Sequence, residues 1–138
     1  MPAKPKDNSC KSRIEGEVKA RLRDLHRLRE AYQDGAEGEE IESIFDYGLS
    51  FDYVAPGTFD GQKEGYFRYQ LSWGGPSDEF RFFVNPDMSC HRVEYWLMDW
   101  FDGASRILAD ADEAFLFELW DWFTELGSVE AVMRTHGR

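Results

Sequence analysis

The spacing of apolar residues changes twice along this chain, and that change restricts the fold more than any other feature of the sequence. Between residues 12 and 35 the apolar positions recur every three or four residues, the period of an amphipathic helix. These positions are Ile14, Val18, Leu22, Leu25, Leu28 and Tyr32. The pattern predicts a long first helix that ends at Asp34-Gly35, because glycine readily takes the left-handed conformation of a helix terminus.

From residue 49 onward, apolar side chains alternate with polar ones, which is typical of strands with one face toward a core. The alternation runs through four segments, 49–53, 66–73, 79–84 and 91–98, which are separated by residues that favour turns. Because short connections favour antiparallel neighbours, the sequence predicts a four-stranded antiparallel meander. A short second helix that ends by Gly48 is predicted ahead of the first strand, and residues 37–40 are either its acidic first turn or a linker before it.

The helical spacing returns after the last strand. Asp110 and Glu113 have the spacing of a capping box, with Asp in place of Ser or Thr. The wide apolar stripe that begins at Phe115 predicts a third helix, and Ser128 can start a short fourth one. The predicted class is therefore α+β, in the order ααββββαα. We expect the first and third helices to pack on one face of the sheet.

The chain has 138 residues, the usual size of one domain. Residues 1–11 are polar and predict a disordered tail, which leaves 12–138 as a single α+β domain. Two cysteines, Cys10 and Cys90, are too few for a disulfide framework, so we expect free thiols and a reducing cytoplasm. No apolar run approaches the roughly 20 residues that a membrane-spanning helix needs.

Charge is distributed unevenly along the chain, which carries 27 acidic and 16 basic residues, a net charge of −11. Residues 37–126 hold twenty acidic residues against five basic ones. This acidic region is expected to repel nucleic acid and anionic membranes, because both attract Lys and Arg. A basic protein surface, such as that of a nucleic-acid-binding protein, is the favoured partner. The alternative is that the acidity only keeps an aromatic-rich protein soluble.

Candidate catalytic groups are few. Cys90 and His91 are neighbours on a predicted strand, so they point to opposite faces and cannot form a nucleophile–base pair. Four acids near the start of the third helix offer oxygen ligands for Mg²⁺ or Ca²⁺, although turns and helix starts also favour such residues. These acids are Asp99, Asp102, Asp110 and Asp112. No phosphate-binding, zinc or nucleophile-elbow motif occurs, so we expect no enzymatic activity and no cofactor.

Aromatic residues make up 16% of the chain, more than one small core requires. Trp73 is assigned to the core-facing side of the second strand, whereas several other aromatics have no evident place in the core. Because aromatics are enriched at interface hot spots, we predict that they bind a partner together with the acids. The predicted partner-binding residues are Glu37, Glu39, Glu40, Glu42, Asp99, Asp102, Asp110, Asp112, Trp96, Trp100, Phe117 and Trp120.

Three segments of the sequence carry a resemblance to a known group of proteins. They are YGLSFDYVAP at 47–56, YQLSWGGPSDE at 69–79 and EYWLMDWFDG at 94–103. Over roughly residues 40–108 the chain resembles a family of short uncharacterised acidic proteins carried on bacterial plasmids and other mobile elements. The resemblance implies functions useful to a mobile element, including the blocking of restriction or CRISPR defences, and it implies no functional residues.

These observations lead to one principal hypothesis and two alternatives. The principal one is a non-catalytic acidic inhibitor, resembling DNA in its charge, that occupies the nucleic-acid-binding surface of a host defence complex. One alternative is an immunity protein or antitoxin that neutralises a basic toxin. The other is a small metal-dependent enzyme built on the four acids named above. The apolar stripe of the first helix would also permit a homodimer.

Overall fold

The computed structural model describes residues 9–33 and 47–136, which form three helices and five strands. In chain order these are α1 (Cys10–Gln33), β1 (Ser50–Val54), β2 (Tyr66–Ser72), β3 (Ser77–Val84), β4 (Cys90–Asp99), β5 (Asp102–Ile107), α2 (Asp110–Glu125) and α3 (Ser128–His136). Most of the predicted tail and most of the short helix predicted between residues 37 and 48 lie outside the described residues. The predicted partner-binding acids that lie outside them are Glu37, Glu39, Glu40 and Glu42.

The five strands form one antiparallel sheet in which neighbours in sequence are also neighbours in space. Phe67 pairs with Phe82 across β2 and β3, and Phe80 pairs with Tyr95 across β3 and β4. These pairs place aromatic side chains on one face of the sheet. The predicted α+β class and the antiparallel meander are confirmed, but the sheet has five strands rather than the predicted four.

The additional strand, β5, follows β4 through a two-residue turn, where the sequence predicts a loop leading into a helix. Of its six residues only Ala104 is partly covered, and the other five are exposed. A strand without buried side chains has no alternation of apolar and polar residues, so the sequence carries no signal for it. Backbone pairing with β4 and contact with α1 hold this edge strand in place.

Helices α1 and α2 pack against the same face of the sheet, as predicted, and enclose the core there. From α2, the ring of Phe123 stacks on Phe51 at 4.6 Å between centroids and meets Tyr69 edge-on at 5.3 Å. Where the helices meet, His26 stacks on Phe115 at 3.7 Å. The stripe of α1 is buried, as its spacing predicts, through Ile14, Val18, Leu22 and Leu25.

Two tryptophans lie where the sequence does not predict them: Trp120 is buried in the core, and Trp73 is exposed. Trp120 is fully buried against Phe67, with ring centroids 5.0 Å apart, and its Nε1–H donates to the backbone oxygen of Met88 at 2.9 Å. It belongs to the core, so its prediction as a partner-binding residue is wrong for this fold. Trp73, predicted to face the core, is 76% exposed because β2 ends at Ser72, one residue before it.

The starts of α1 and α2 also differ from prediction. Helix α1 begins at Cys10, two residues early, and Cys10 is buried rather than part of a tail, although both cysteines are free thiols as expected. At α2 the N-cap residue is Ala109, which makes no side-chain capping bond, and Asp110 has a left-handed φ of 55°. The predicted capping box is therefore absent. Among the described residues, no helix is both long and apolar enough to cross a membrane.

Candidate binding surfaces

Helix α2 exposes the densest group of acids in the described part of the chain. Its sixteen residues include six Asp or Glu and no Lys or Arg. Glu118 pairs with Arg29 of α1, whereas the predicted partner-binding acids Asp110 and Asp112 are exposed and make no ion pair among the described residues. Successive residues of a helix are rotated by about 100°, so the six acids do not form one row, and only those on a common side of α2 can contact one partner surface.

The orientation of α2 follows from its apolar side chains. Trp120 and Phe123 are buried against the sheet, and the predicted residue Phe117 is half-buried at the side of the helix. Asp121 and Glu125 are exposed. Because one side of the helix is held by the core, the backbone that carries its exposed carboxylates is fixed in position. Asp110, Asp121 and Glu125 lie on the side away from the core, whereas Asp112, nine residues before Asp121, projects from the opposite side. We name Asp110, Asp121 and Glu125 the acidic face of α2.

The predicted acids Asp99 and Asp102 have a role within the fold. Asp99 Oδ2 accepts a hydrogen bond from Arg13 NH2 at 2.8 Å, and Asp102 Oδ2 accepts one from the backbone N–H of Cys10 at 2.7 Å. The bond from Cys10 lowers the pKa of Asp102. A carboxylate near the start of a helix is favoured there because it meets unpaired N–H groups. Both residues therefore attach α1 to the β4–β5 turn.

The structure does not bring the four candidate metal ligands together. Asp102 opens β5 and Asp110 follows it, so an extended strand of about 20 Å separates the two pairs of acids. Among residues 9–33 and 47–136 there is no group of three or more His, Cys, Asp or Glu side chains placed to hold a metal ion. The metal-dependent enzyme predicted as an alternative has no ligand cluster in this part of the chain.

Three exposed aromatics lie at one end of the sheet. Trp100 and Phe101 form the β4–β5 turn, where they are 89% and 105% exposed, and Trp73 opens the β2–β3 turn. A Cβ placed on Gly75 would lie 3.9 Å from Trp100 Nε1, which shows that the two turns are adjacent. We name Trp73, Trp100 and Phe101 the aromatic tip.

The backbone of the aromatic tip is unusual. Trp100 has φ of 56°, a left-handed conformation that a two-residue hairpin turn usually assigns to Gly or Asn. A bulky residue in this conformation is strained, and such strain concentrates at functional sites. Trp100 is among the predicted partner-binding residues, whereas Trp73 and Phe101 are not. Their positions in turns, with Trp73 beside Gly74 and Phe101 beside Asp102, are the sequence feature that could have identified them.

The last predicted aromatic, Trp96, lies on the face of the sheet opposite α1 and α2. Its ring lies 3.9 Å from the guanidinium carbon of Arg81, and its Nε1–H donates to Glu94 Oε1 at 2.9 Å. Trp96 is half-buried by these neighbours. It therefore belongs to neither the aromatic tip nor the acidic face of α2.

Comparison of the chain with protein-family models, with curated proteins and with solved structures gave no match. Functional inference for this chain therefore depends on its own surfaces.

Proposed function

We propose that this protein is a non-catalytic inhibitor that occupies the basic, nucleic-acid-binding surface of a bacterial defence complex of the restriction or CRISPR type. The observation that carries the proposal is the acidic face of α2, which belongs to a helix with six acidic residues and no Lys or Arg. The resemblance of residues 40–108 to proteins of mobile elements supports a defence complex as the target, because such elements benefit from blocking bacterial defences. The proposed location is the cytoplasm, where these complexes act.

The energetics of such an interaction follow from charge. A surface built to bind DNA attracts any rigid array of anions, and complementary potentials accelerate the encounter. The exposed acids of α2 need little reordering on binding, because the helix is already fixed by its buried aromatics. Association should slow steeply with salt, since the Debye length falls from about 10 Å at 0.1 M to about 3 Å at 1 M.

The test measures DNA binding by a panel of purified restriction and CRISPR effector complexes in the presence of this protein. We expect at least one complex to lose DNA binding competitively, so that excess DNA relieves the inhibition. The double variant Asp121→Lys/Glu125→Lys should inhibit at least tenfold less, because it replaces two neighbouring anions of the acidic face with cations. Circular dichroism of the variant should be unchanged, since both residues are exposed.

A matched control reverses two exposed acids elsewhere. Asp60 lies between β1 and β2, and Glu17 lies on α1. Asp60→Lys/Glu17→Lys changes the net charge by the same amount but leaves the acidic face intact, so it should retain most of the inhibition. The proposal is wrong if the α2 variant inhibits as well as the parent protein, or if the inhibited complex still binds DNA normally.

A second candidate function is an immunity protein or antitoxin that covers a basic toxin, and the aromatic tip favours it. Exposed aromatic side chains that enter a pocket of the partner account for much of the affinity of tight protein inhibitors. Trp100→Ala/Phe101→Ala should then abolish binding, whereas the proposed inhibitor depends mainly on the acidic face of α2. Comparing this variant with Asp121→Lys/Glu125→Lys against the same partner separates the two candidates.

A further inference from the structure

The face of the sheet opposite α1 and α2 carries a groove that neither the acidic face nor the aromatic tip includes. It lies between strands β2 to β4 and the connection from β1 to β2, with a volume of about 600 Å³. Aromatic and aliphatic side chains alternate in it with arginines. Its principal lining residues are Phe59, Tyr66, Arg81, Phe83, Trp96 and Met98.

Arg81 is held rigidly in this groove. Its guanidinium carbon lies 4.6 Å from the centre of the Tyr66 ring and 3.9 Å from that of the Trp96 ring. Its Nε–H donates to Glu79 Oε2 at 2.7 Å, and Glu79 is itself buried. The two terminal nitrogens of Arg81 form no hydrogen bond with any described residue. Their N–H groups are therefore oriented donors without an acceptor.

Tyr66 supplies a second unpaired donor. The residue is 2% exposed, and its buried hydroxyl has no hydrogen-bond partner within the described parts of the chain. Burial raises the pKa of Tyr66, so the hydroxyl keeps its proton at neutral pH. Buried polar groups are almost always paired in native proteins, and an unpaired one requires an explanation such as a missing ligand.

The acids around the groove do not provide these missing acceptors. Glu64 and Glu94 both accept hydrogen bonds from Arg92, at 3.3 and 2.9 Å, and Glu79 accepts from Arg81. The floor of the groove therefore has more hydrogen-bond donors than acceptors to pair with them. The groove is lined by three acidic and three basic residues, Lys63 among them, so it has no surplus of positive charge to favour a ligand with two or more negative charges.

We propose that this groove binds a small monocarboxylate with an apolar body. The carboxylate accepts hydrogen bonds from the terminal nitrogens of Arg81 and from the Tyr66 hydroxyl, while the apolar body lies against Phe59 and Met98. Arginine suits this role because its planar fork matches the two oxygens of a carboxylate. Apolar walls with a few convergent polar groups are typical of small-molecule sites.

The test titrates the protein with phenylacetate and with the uncharged, nearly isosteric phenylacetamide, and follows the NMR signals of the Arg81 side chain and the Trp96 indole. We expect saturable shifts of both signals with phenylacetate and at least tenfold weaker binding of phenylacetamide. Arg81→Lys should weaken phenylacetate binding at least tenfold, because lysine has no fork. The control Arg134→Lys alters an exposed arginine of α3 that pairs with Glu130 away from the groove, and it should change nothing.

Tyr66→Phe keeps the test decisive if the Arg81 variant does not fold. It removes a hydroxyl that has no partner in the free protein, so the variant should be at least as stable as the parent and bind phenylacetate several-fold more weakly. The proposal is overturned if phenylacetate gives no saturable shifts at these residues, or if phenylacetamide binds equally well. Unchanged affinity in Tyr66→Phe, or tighter binding of phenyl phosphate than of phenylacetate, would also overturn it.

Discussion

Asp78 is a buried carboxylate with four hydrogen bonds, and it joins α1 to the sheet. Arg21 donates to both of its oxygens, through Nε at 2.7 Å and NH2 at 3.0 Å, and the Tyr95 hydroxyl donates at 2.6 Å. The Ser72 hydroxyl also donates to it. Burial, and then the bond to Asp78, raise the pKa of Tyr95, so its hydroxyl remains a donor. Every polar atom of this carboxylate is therefore satisfied.

Replacing Asp78 with Asn should destabilise the protein by about 3 kcal/mol, because a buried amide has one acceptor oxygen for all of these donors and turns its own NH2 toward them. Asp52→Asn is the matched control. Asp52 accepts from Arg68 in the same two-bond geometry but is 45% exposed, so its loss should cost less than about 1 kcal/mol. Urea unfolding of both variants measures the difference. Equal losses would show that burial does not decide the strength of these pairs.

The cysteine thiols should be unreactive in the folded protein. Burial raises the pKa of Cys90 to about 11, and it also raises the pKa of Cys10. At pH 8 the thiolate fraction of Cys90 is then about a hundredfold below that of a thiol with pKa 9, and only the thiolate is alkylated.

Iodoacetamide labelling tests this expectation. In the native protein the rate at Cys90 should continue to rise until about pH 11, whereas in urea it should level off near pH 9, since an unfolded thiol keeps its ordinary pKa. Rapid labelling of the native protein at pH 8 would contradict the assigned burial. Such a result would also make Cys90 a candidate nucleophile again.

At the scale of elements, apolar spacing predicts those helices and strands that bury one face. Helix α1, helix α2 and strands β2 to β4 all appear where the period indicates, because each has a buried row of side chains. Strand β5 is missed because backbone pairing alone defines it. The start of α2 is missed for a different reason: Asp110 has helix-capping chemistry, but its left-handed φ excludes the capping geometry.

Helix α2 should depend on Trp120 far more than the β4–β5 turn depends on Trp100. Trp120→Ala removes a buried ring and its bond to Met88, so it should destabilise the protein by about 3–5 kcal/mol. Trp100→Ala removes an exposed ring with positive φ and should change stability by less than about 1 kcal/mol. Thermal unfolding of the two variants compares them. Similar losses would mean that the aromatic tip is packed rather than available to a partner.

At the scale of the whole molecule, the sequence gives the number of acidic residues, but it does not predict which of them are used within the fold and which are exposed to a partner. Asp99 and Asp102 look equivalent to Asp110 and Asp112 in the sequence, yet the first pair attaches α1, whereas the second pair forms no ion pair with any residue that the structure describes. The distinction depends on contacts between residues about 90 positions apart, which no local pattern encodes. The same limit explains why Trp120 and Trp100 are indistinguishable before the fold is known.

The excess of negative charge should make the protein more stable at moderate salt than at low salt. Raising NaCl from 0.01 to 0.1 M shortens the Debye length from about 30 Å to about 10 Å. The Debye length exceeds the length of α2, about 24 Å, at the lower salt concentration and is shorter than the helix at the higher one. Repulsion between carboxylates at the two ends of α2 is therefore screened at the higher concentration. Ion pairs such as Arg21–Asp78, with atoms 2.7 Å apart and largely buried, are screened much less.

We therefore expect the melting temperature at pH 7 to rise by about 3–5 °C over this range, the shift that roughly 1 kcal/mol produces in a domain of this size. Asp121→Lys/Glu125→Lys should show a smaller rise, because it has fewer like charges on α2 to screen. Calorimetry at several NaCl concentrations measures both. A melting temperature that falls with salt would mean that the exposed ion pairs outweigh the repulsion, and that the acidic face of α2 contributes less to the field of the molecule than the proposed inhibitor requires.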